Sequence, residues 1–251
     1  MRIAVLGASG RIGREVIDVL KNQGHDIVAI TRAAGVDVYT GAGLAGALAG
    51  VEVVVDAVNT TTRETAAVKD YFGTVARTVQ REAAAAGVRR IAVVSIIGID
   101  PFTTGHYAGK LAHEAGYREG PVPVRVLRAA QFHEFTEMML EWTTRDDTAY
   151  VPTFPTQLVA ARTTAEELAA LALADSAPDM VEIAGPEQLD LAAAVTKLAA
   201  RRGDPAHVES VVDTTDPEYP LRAAGTLLPG PDAILAGPTF DEWLDRKYPA
   251  R

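Results

Sequence analysis

The 251-residue chain is 48% hydrophobic and 23% charged, with 21 Gly and 14 Pro, a composition that sets aside disordered and fibrous classes and calls for a packed core. Its length suits one large domain, or a core carrying a small lobe, better than two independent domains. A net charge of -9 argues against a nucleic-acid backbone or an anionic membrane as main partner, and the lack of Cys excludes a disulfide framework, a thiolate nucleophile and a Cys-ligated metal.

The chain reaches a glycine turn after five strand-like residues, too soon for the apolar stretch of a signal peptide, and no run of transmembrane length follows. A cytoplasmic location is therefore expected. Short apolar runs predict strands over 2–6, 26–31, 36–39, 51–57, 90–95, 124–127 and 180–183. Between them lie segments of helical period, with Ile12, Val16, Ile17 and Leu20 sharing one face and Val68, Phe72, Val75 and Val79 another. This alternation marks βαβ units and a parallel sheet buried on both faces. Thr61 with Glu64, and Thr164 with Glu167, have capping-box spacing, while Gly87 stands where a helix end favours a left-handed residue. Beyond residue 127 the pattern loosens, and Phe132, Phe135, Trp142, Tyr150 and Phe154 suggest a pocket-forming segment. A core over about 1–130 and 156–184 and a small lobe over about 131–155 and 185–251 are expected.

The strongest motif is Gly7-Ala8-Ser9-Gly10-Arg11-Ile12-Gly13, placed between the first strand and the first helix. Gly7 permits a tight turn, Gly10 a close approach of backbone to pyrophosphate, and Gly13 close packing of helix on strand. The diphosphate then meets amides at the positive end of the helix. At the end of the second strand an acidic residue would bind a ribose 2′-hydroxyl and repel a 2′-phosphate. Here the chain reads Ala29-Ile30-Thr31-Arg32, with no carboxylate, so Arg32, helped by Ser9 and Arg11, favours NADP(H) over NAD(H).

These residues resemble the atypical short-chain dehydrogenase/reductases, and within them the NmrA-like NAD(P)-binding group. The resemblance runs from the glycine turn through Ala57-Val58-Asn59, Ala86-Gly87-Val88 and the segment Val93-Val94-Ser95-Ile96-Ile97-Gly98. It continues with Lys110 and Glu114, Leu127-Arg128-Ala129-Ala130-Gln131-Phe132 and Ala184-Gly185-Pro186-Glu187. It implies a Rossmann-like, doubly wound parallel sheet with a small C-terminal substrate lobe. Cofactor contacts are then assigned to Gly7, Ser9, Gly10, Arg11, Ile12, Gly13, Arg32, Ala57, Val58, Asn59 and Lys110, and a substrate pocket to Ile97, Gln131, Phe132 and His133.

Reductases of this type place a tyrosine four residues before the lysine. Here His106 holds that position before Lys110, and Tyr107 follows one step late. At about 100° per residue both lie within roughly 60° of Lys110 around a helix, so either one could face the cofactor. A histidine beside an ammonium is driven toward the neutral form, a competent base but a scarce proton donor. Ser95 is a candidate to polarise a carbonyl, with a turn residue as the alternative. His133 and Glu134 point apart as sequence neighbours and do not make a metal pair; they either serve the site or hydrogen-bond the lobe to the core.

Three functions follow from these residues. The first is an NADPH-dependent oxidoreductase passing hydride to a small, fairly apolar carbonyl, enone, imine or quinone, with Lys110, Tyr107, His106 and Ser95 as catalytic candidates. The second is a non-catalytic NADP(H) sensor, and the third an isomerase or cyclase on the same fold.

Overall fold

The computed structural model describes residues 1–249; positions 250 and 251, the end of the expected lobe, lie outside the described residues. The chain opens with β1 (Arg2–Leu6), α1 (Arg11–Asn22), β2 (Asp26–Ile30) and α2 (Leu44–Ala47). There follow β3 (Val53–Asp56), α3 (Thr65–Ala86), β4 (Arg90–Ile96), α4 (Gly105–Arg118) and β5 (Val124–Ala129). Next come α5 (Phe135–Thr143), β6 (Thr144–Arg145), β7 (Thr148–Pro152), β8 (Pro155–Thr156), α6 (Ala161–Leu173) and β9 (Met180–Ala184). The last elements are β10 (Leu189–Asp190), α7 (Leu191–Arg202), β11 (His207–Val211), α8 (Tyr219–Ala223), β12 (Ile234–Leu235) and α9 (Phe240–Lys247).

Seven strands form a parallel, Rossmann-like sheet in the order β12-β9-β5-β4-β3-β1-β2. The registers Leu6↔Ile30, Leu6↔Asp56 and Asp56↔Val93 bring the carboxyl ends of four neighbouring strands to one edge. From β1 the chain winds one way to β2 and the other way to β3. The end of β1 is thus the point where the winding reverses, and ligands of open α/β sheets bind in the crevice there. Most of the predicted helix faces is buried: Val16 and Leu20 of α1, and Val68, Phe72, Val75 and Val79 of α3, are fully covered and Ile12 nearly so, while Ile17 is half-buried.

Two compact units are present. The first comprises Met1–Arg128 with Thr164–Val181, and the second Ala129–Thr163 with the described residues from Glu182. In the first, Ala4, Leu6, Val54, Val75, Val79, Ile91 and Val93 belong to one apolar cluster. In the second, Met139, Leu140, Val151, Phe154, Leu191, Val195, Leu198, Phe240 and Trp243 form another, around the small sheet β11-β7-β6. Among the described residues no helix is long and apolar enough to cross a membrane.

Three local expectations are corrected. Residues 36–39 form a turn and not a strand: the Asp37 carboxylate accepts from the Tyr39 (2.8 Å) and Thr40 (3.3 Å) amides, and the Asp37 amide donates to Ala42 O at 2.9 Å. That side chain competes with a sheet ladder for the backbone donors. Helix α3 is capped by Glu64 itself, which accepts from the Ala66 and Ala67 amides, with Thr61 outside the helix. Helix α6 starts at Ala161, so Thr164 is fully buried inside its first turn. Gly87 does close α3 in the left-handed region at φ 72°.

Candidate functional site

The glycine turn sits at the end of β1. Gly7 has φ +67°, and a Cβ there would stand 2.6 Å from Ala57 O; one at Gly13 would stand 2.2 Å from Gly7 O. A side chain at either position collides with backbone, which does not yield. At Gly10 a Cβ would meet only Gly7 O, at 3.1 Å, so this exposed residue keeps its outer face clear. Gly10 is also the N-cap of α1 and gives the helix no side-chain cap. The first-turn amides of Arg11, Ile12 and Gly13 face a cradle that no acidic residue of that turn contests. A diphosphate fits it by charge and by shape. Ser9 and Arg11 are exposed beside the turn, and Ile12 is buried beneath it.

Arg32 is exposed and begins a single 3-10 turn directly after β2. That turn is capped by Thr31, whose hydroxyl accepts from the Ala34 amide at 3.2 Å. No carboxylate ends this strand.

At the ends of β3 and β4 the first unit is polar inside. Asp56 is 0% exposed after three fully buried valines, Val53, Val54 and Val55. Its Oδ1 accepts from the Val58 amide (2.7 Å), and its Oδ2 accepts from the Tyr117 hydroxyl and lies 3.0 Å from His113 Nε2. The histidine contact is close, but the ring N–H is not aimed along it, so it counts as electrostatic and not as an aligned hydrogen bond. Burial pushes the Asp56 carboxyl up; His113, Tyr117 and Lys110 together overcome it and hold the group below its usual range. Ala57 and Val58 are buried at the following turn, and Asn59 is exposed.

Helix α4 lays four polar residues along one face, His106, Lys110, His113 and Tyr117, at helical spacing. The first three rest on Phe72 of α3: its ring lies 5.5 Å from that of His106 and 4.9 Å from that of His113, and the Lys110 Nζ stands 4.7 Å above it. The close approach depends on Gly109, where a Cβ would be 2.2 Å from Val68 Cγ1. Lys110, only 5% exposed, donates to Val94 O (3.1 Å) and Val58 O (3.4 Å). Two of its three ammonium protons are thereby used, and one remains for a ligand. Burial, resisted by Asp56 and Glu114, brings its pKa from 10.5 down to about 8, an ammonium penalty of roughly 3 kcal/mol. His106 falls to about 4, mainly through burial and then through the Lys110 and His113 charges, so its ring is neutral at pH 7. Tyr107 turns from this stripe and packs edge-on against Phe102, with ring centroids 4.7 Å apart.

Ser95 lies within β4, 3% exposed, and its hydroxyl has no partner among the described residues. An orphaned buried hydroxyl at a strand end is a cost that a ligand oxygen would relieve. The open cradle, the spare Lys110 proton and this hydroxyl all suit a nicotinamide dinucleotide.

Two pieces of the resemblance meet inside the first unit. Arg128 at the end of β5 donates twice to Glu114 (3.0 and 2.9 Å) and twice to Asp100 (2.6 and 2.9 Å), tying α4 to the sheet. Ile97 is 1% exposed in the same unit. In the second unit, Gln131 and Phe132 are half-buried, and Gln131 accepts from the Thr156 hydroxyl at 2.8 Å. His133 is fully buried, donates from Nε2 to Leu158 O at 3.0 Å, and packs edge-on against Phe240 and Trp243. Burial holds its pKa near 4, so it is a neutral strut of that core. The aromatic residues expected around a pocket are spread out: Phe154 is in the core, and Trp142 and Tyr150 are exposed.

Asp56, His113 and Tyr117 were not singled out in the sequence. Two signals were available: a carboxylate closing an all-valine strand, and polar residues at 106, 110, 113 and 117 where helical period calls for an apolar stripe.

A glycine cradle at the point where the winding reverses, with a buried lysine at the next strand ends, defines a Rossmann-like dinucleotide-binding protein. The chain belongs to the NAD(P)H-binding family, whose model matches residues 7–177. No curated protein matches the sequence. Among solved structures, MoeE5 in complex with UDP-glucose and NAD aligns with 98% of this chain and 99% of its own, at TM-score 0.72 and 14% identity. The triphenylmethane reductase of Citrobacter sp. aligns with 98% of this chain and 99% of its own (TM-score 0.69, 16% identity). An NADPH-dependent quinone oxidoreductase of Escherichia coli aligns with 97% of this chain and 98% of its own (TM-score 0.67, 17% identity). At such identities these likenesses show a shared fold.

Proposed function

We propose that the protein is an NADPH-dependent oxidoreductase that passes hydride to a small, fairly apolar carbonyl, enone, imine or quinone. The observation that carries this reading is the Lys110 ammonium, buried at the ends of β3 and β4 with one proton uncommitted, in the same unit as the open glycine cradle. When bound, the nicotinamide supplies the hydride. The chain's own residues bind and orient: first-turn amides of α1 hold the diphosphate, and Lys110 donates to a ribose hydroxyl. Ser95 donates to the substrate oxygen where negative charge develops. Water delivers the proton, because neutral His106 has none to give at pH 7 and Tyr107 packs against Phe102.

NADP(H) is preferred to NAD(H) on the evidence of a strand end without a carboxylate and an exposed arginine directly after it. The reductase and quinone oxidoreductase that share the fold support the reaction class. One observation favours a second reading, a non-catalytic NADP(H) sensor: the residue four before the lysine is a histidine held near pKa 4, so the usual proton donor is missing. Loss of NADPH absorbance across a panel of carbonyls, enones, imines and quinones separates the two. Substrate-dependent loss supports the oxidoreductase; tight binding without turnover across the panel supports the sensor.

A further inference from the structure

We infer that Asp56 is the positioning residue of the cofactor site: held by Tyr117 and the Val58 amide with His113 close by, its carboxylate fixes the turn after β3 whose Val58 carbonyl receives the Lys110 ammonium. The inference rests on the dinucleotide-binding reading above and adds to it the group that makes the lysine usable.

The geometry forms a chain of contacts within the first unit. Asp56 Oδ1 holds the Val58 amide at 2.7 Å, and Lys110 Nζ holds the Val58 carbonyl at 3.4 Å, so one residue of the turn is gripped at both ends. The preceding carbonyl, Ala57 O, is the atom against which Gly7 packs without room for a Cβ. A displacement at Asp56 would therefore reach both the lysine and the phosphate turn.

A purely structural role explains the carboxylate poorly. A fourth valine after Val53, Val54 and Val55 would bury more cheaply than an ionised group, whose desolvation costs several kcal/mol. The partners have also been arranged to keep the charge. Gln80 donates to Tyr117 O (2.7 Å) and Val122 O (2.9 Å) and accepts from the Val122 amide (3.0 Å), fixing the end of α4 from which the Tyr117 phenol reaches Asp56. The groups facing Lys110 are Asp56 from β3 and His106, His113 and Glu114 from α4, while α3 contributes only the Phe72 ring. Glu114 is already paired with Arg128 and Arg118. Facing Asp56 are His113, Tyr117, Lys110 and, from α3, Tyr71. Burial depresses His113, and Lys110 adds to the favourable field that holds the Asp56 carboxyl low.

The consequence is a pH signature. Lys110 is charged below about pH 8 and loses its proton above it, so NADPH affinity should fall as pH rises through that point. Removing the carboxylate removes a stabiliser of the ammonium and must move the fall to lower pH. The experiment is calorimetric measurement of NADPH affinity from pH 6.5 to 10 for wild type, Asp56→Asn and Lys110→Met, with thermal unfolding as a check on folding. An Asn keeps an acceptor for the Val58 amide and offers donors to Tyr117 and His113.

The expected result is a wild-type midpoint near 8, a midpoint lower by about one unit or more in Asp56→Asn, and no such step in Lys110→Met. At pH 8 the Asn variant would bind about fivefold more weakly. A folded Asp56→Asn whose midpoint coincides with wild type overturns the inference while leaving the dinucleotide reading intact. If the Asn variant does not fold, Asp56→Ser repeats the test; failure of both to fold would make the carboxylate a folding element and overturn the positioning role. A wild type without affinity for NADPH would sink the underlying reading and this inference with it.

Discussion

The turn at 7–13 and the polar stripe of α4 lie in the same unit and, in the proposed reading, would recognise a ligand by different means. In the turn, backbone would act alone: three glycines remove side chains from places where other backbone stands 2.2 to 3.1 Å away, leaving amides to do the binding proposed. In the stripe, side chains act through one another: Asp56 steadies the Lys110 charge, Tyr117 and His113 steady Asp56, and Lys110 and His113 rest on the Phe72 ring. The first device is rigid and insensitive to pH, whereas the second is charged, buried and therefore tunable. The difference teaches that tight binding and chemical control are separable here, so substitutions should divide them.

The largest effect is expected at the turn. Gly13→Val places a side chain 2.2 Å from Gly7 O, and dinucleotide affinity should drop more than about 100-fold for NADPH and NADH alike. Fluorescence titration of the folded variant checks this, and retained affinity would mean that the helix mouth is not the diphosphate site. Next is Lys110→Met, which keeps the aliphatic stem on Phe72 but loses the ammonium. Turnover should fall about 50-fold, the worth of one charge-assisted hydrogen bond, with steady-state rates as the readout. Equal activity would remove Lys110 from the site. The smallest is Arg32→Glu at the exposed end of β2: NADP(H) should weaken about 30-fold and NAD(H) less than about threefold, by paired titrations. Equal losses would contradict the preference for the 2′-phosphate.

Legibility followed the same division. The turn was readable because its physics is local: strand, three glycines and amphipathic helix are contiguous, and spacing alone tells what the backbone must do. The parallel sheet was readable from its buried apolar runs for the same reason. Residues 36–39 show where that logic ends, since an apolar alternation lost to the Asp37 side chain, which offered the backbone closer partners than a neighbouring strand. The cap of α3 moved from Thr61 to Glu64 by a similar competition between two eligible side chains. In the stripe, Lys110 and His106 were found through the family resemblance, yet Asp56 and Tyr117, 61 residues apart, meet only when β3 and α4 pack together. Sequence distance hides such a pair; an ionisable residue in an otherwise apolar strand is the trace it leaves. His133 is the converse, a residue chosen for chemistry that the structure places as a hydrogen-bonded strut between Leu158, Phe240 and Trp243.

The central claim is that amides at the mouth of α1 hold a nicotinamide dinucleotide whose adenosine end meets Arg32. The most direct measurement is isothermal calorimetry of the purified wild-type chain with NADPH and with NADH near pH 7, where Lys110 is charged. Saturable binding of both, with NADPH the tighter, is the predicted result. Absence of heat and of competition with either coenzyme would contradict it.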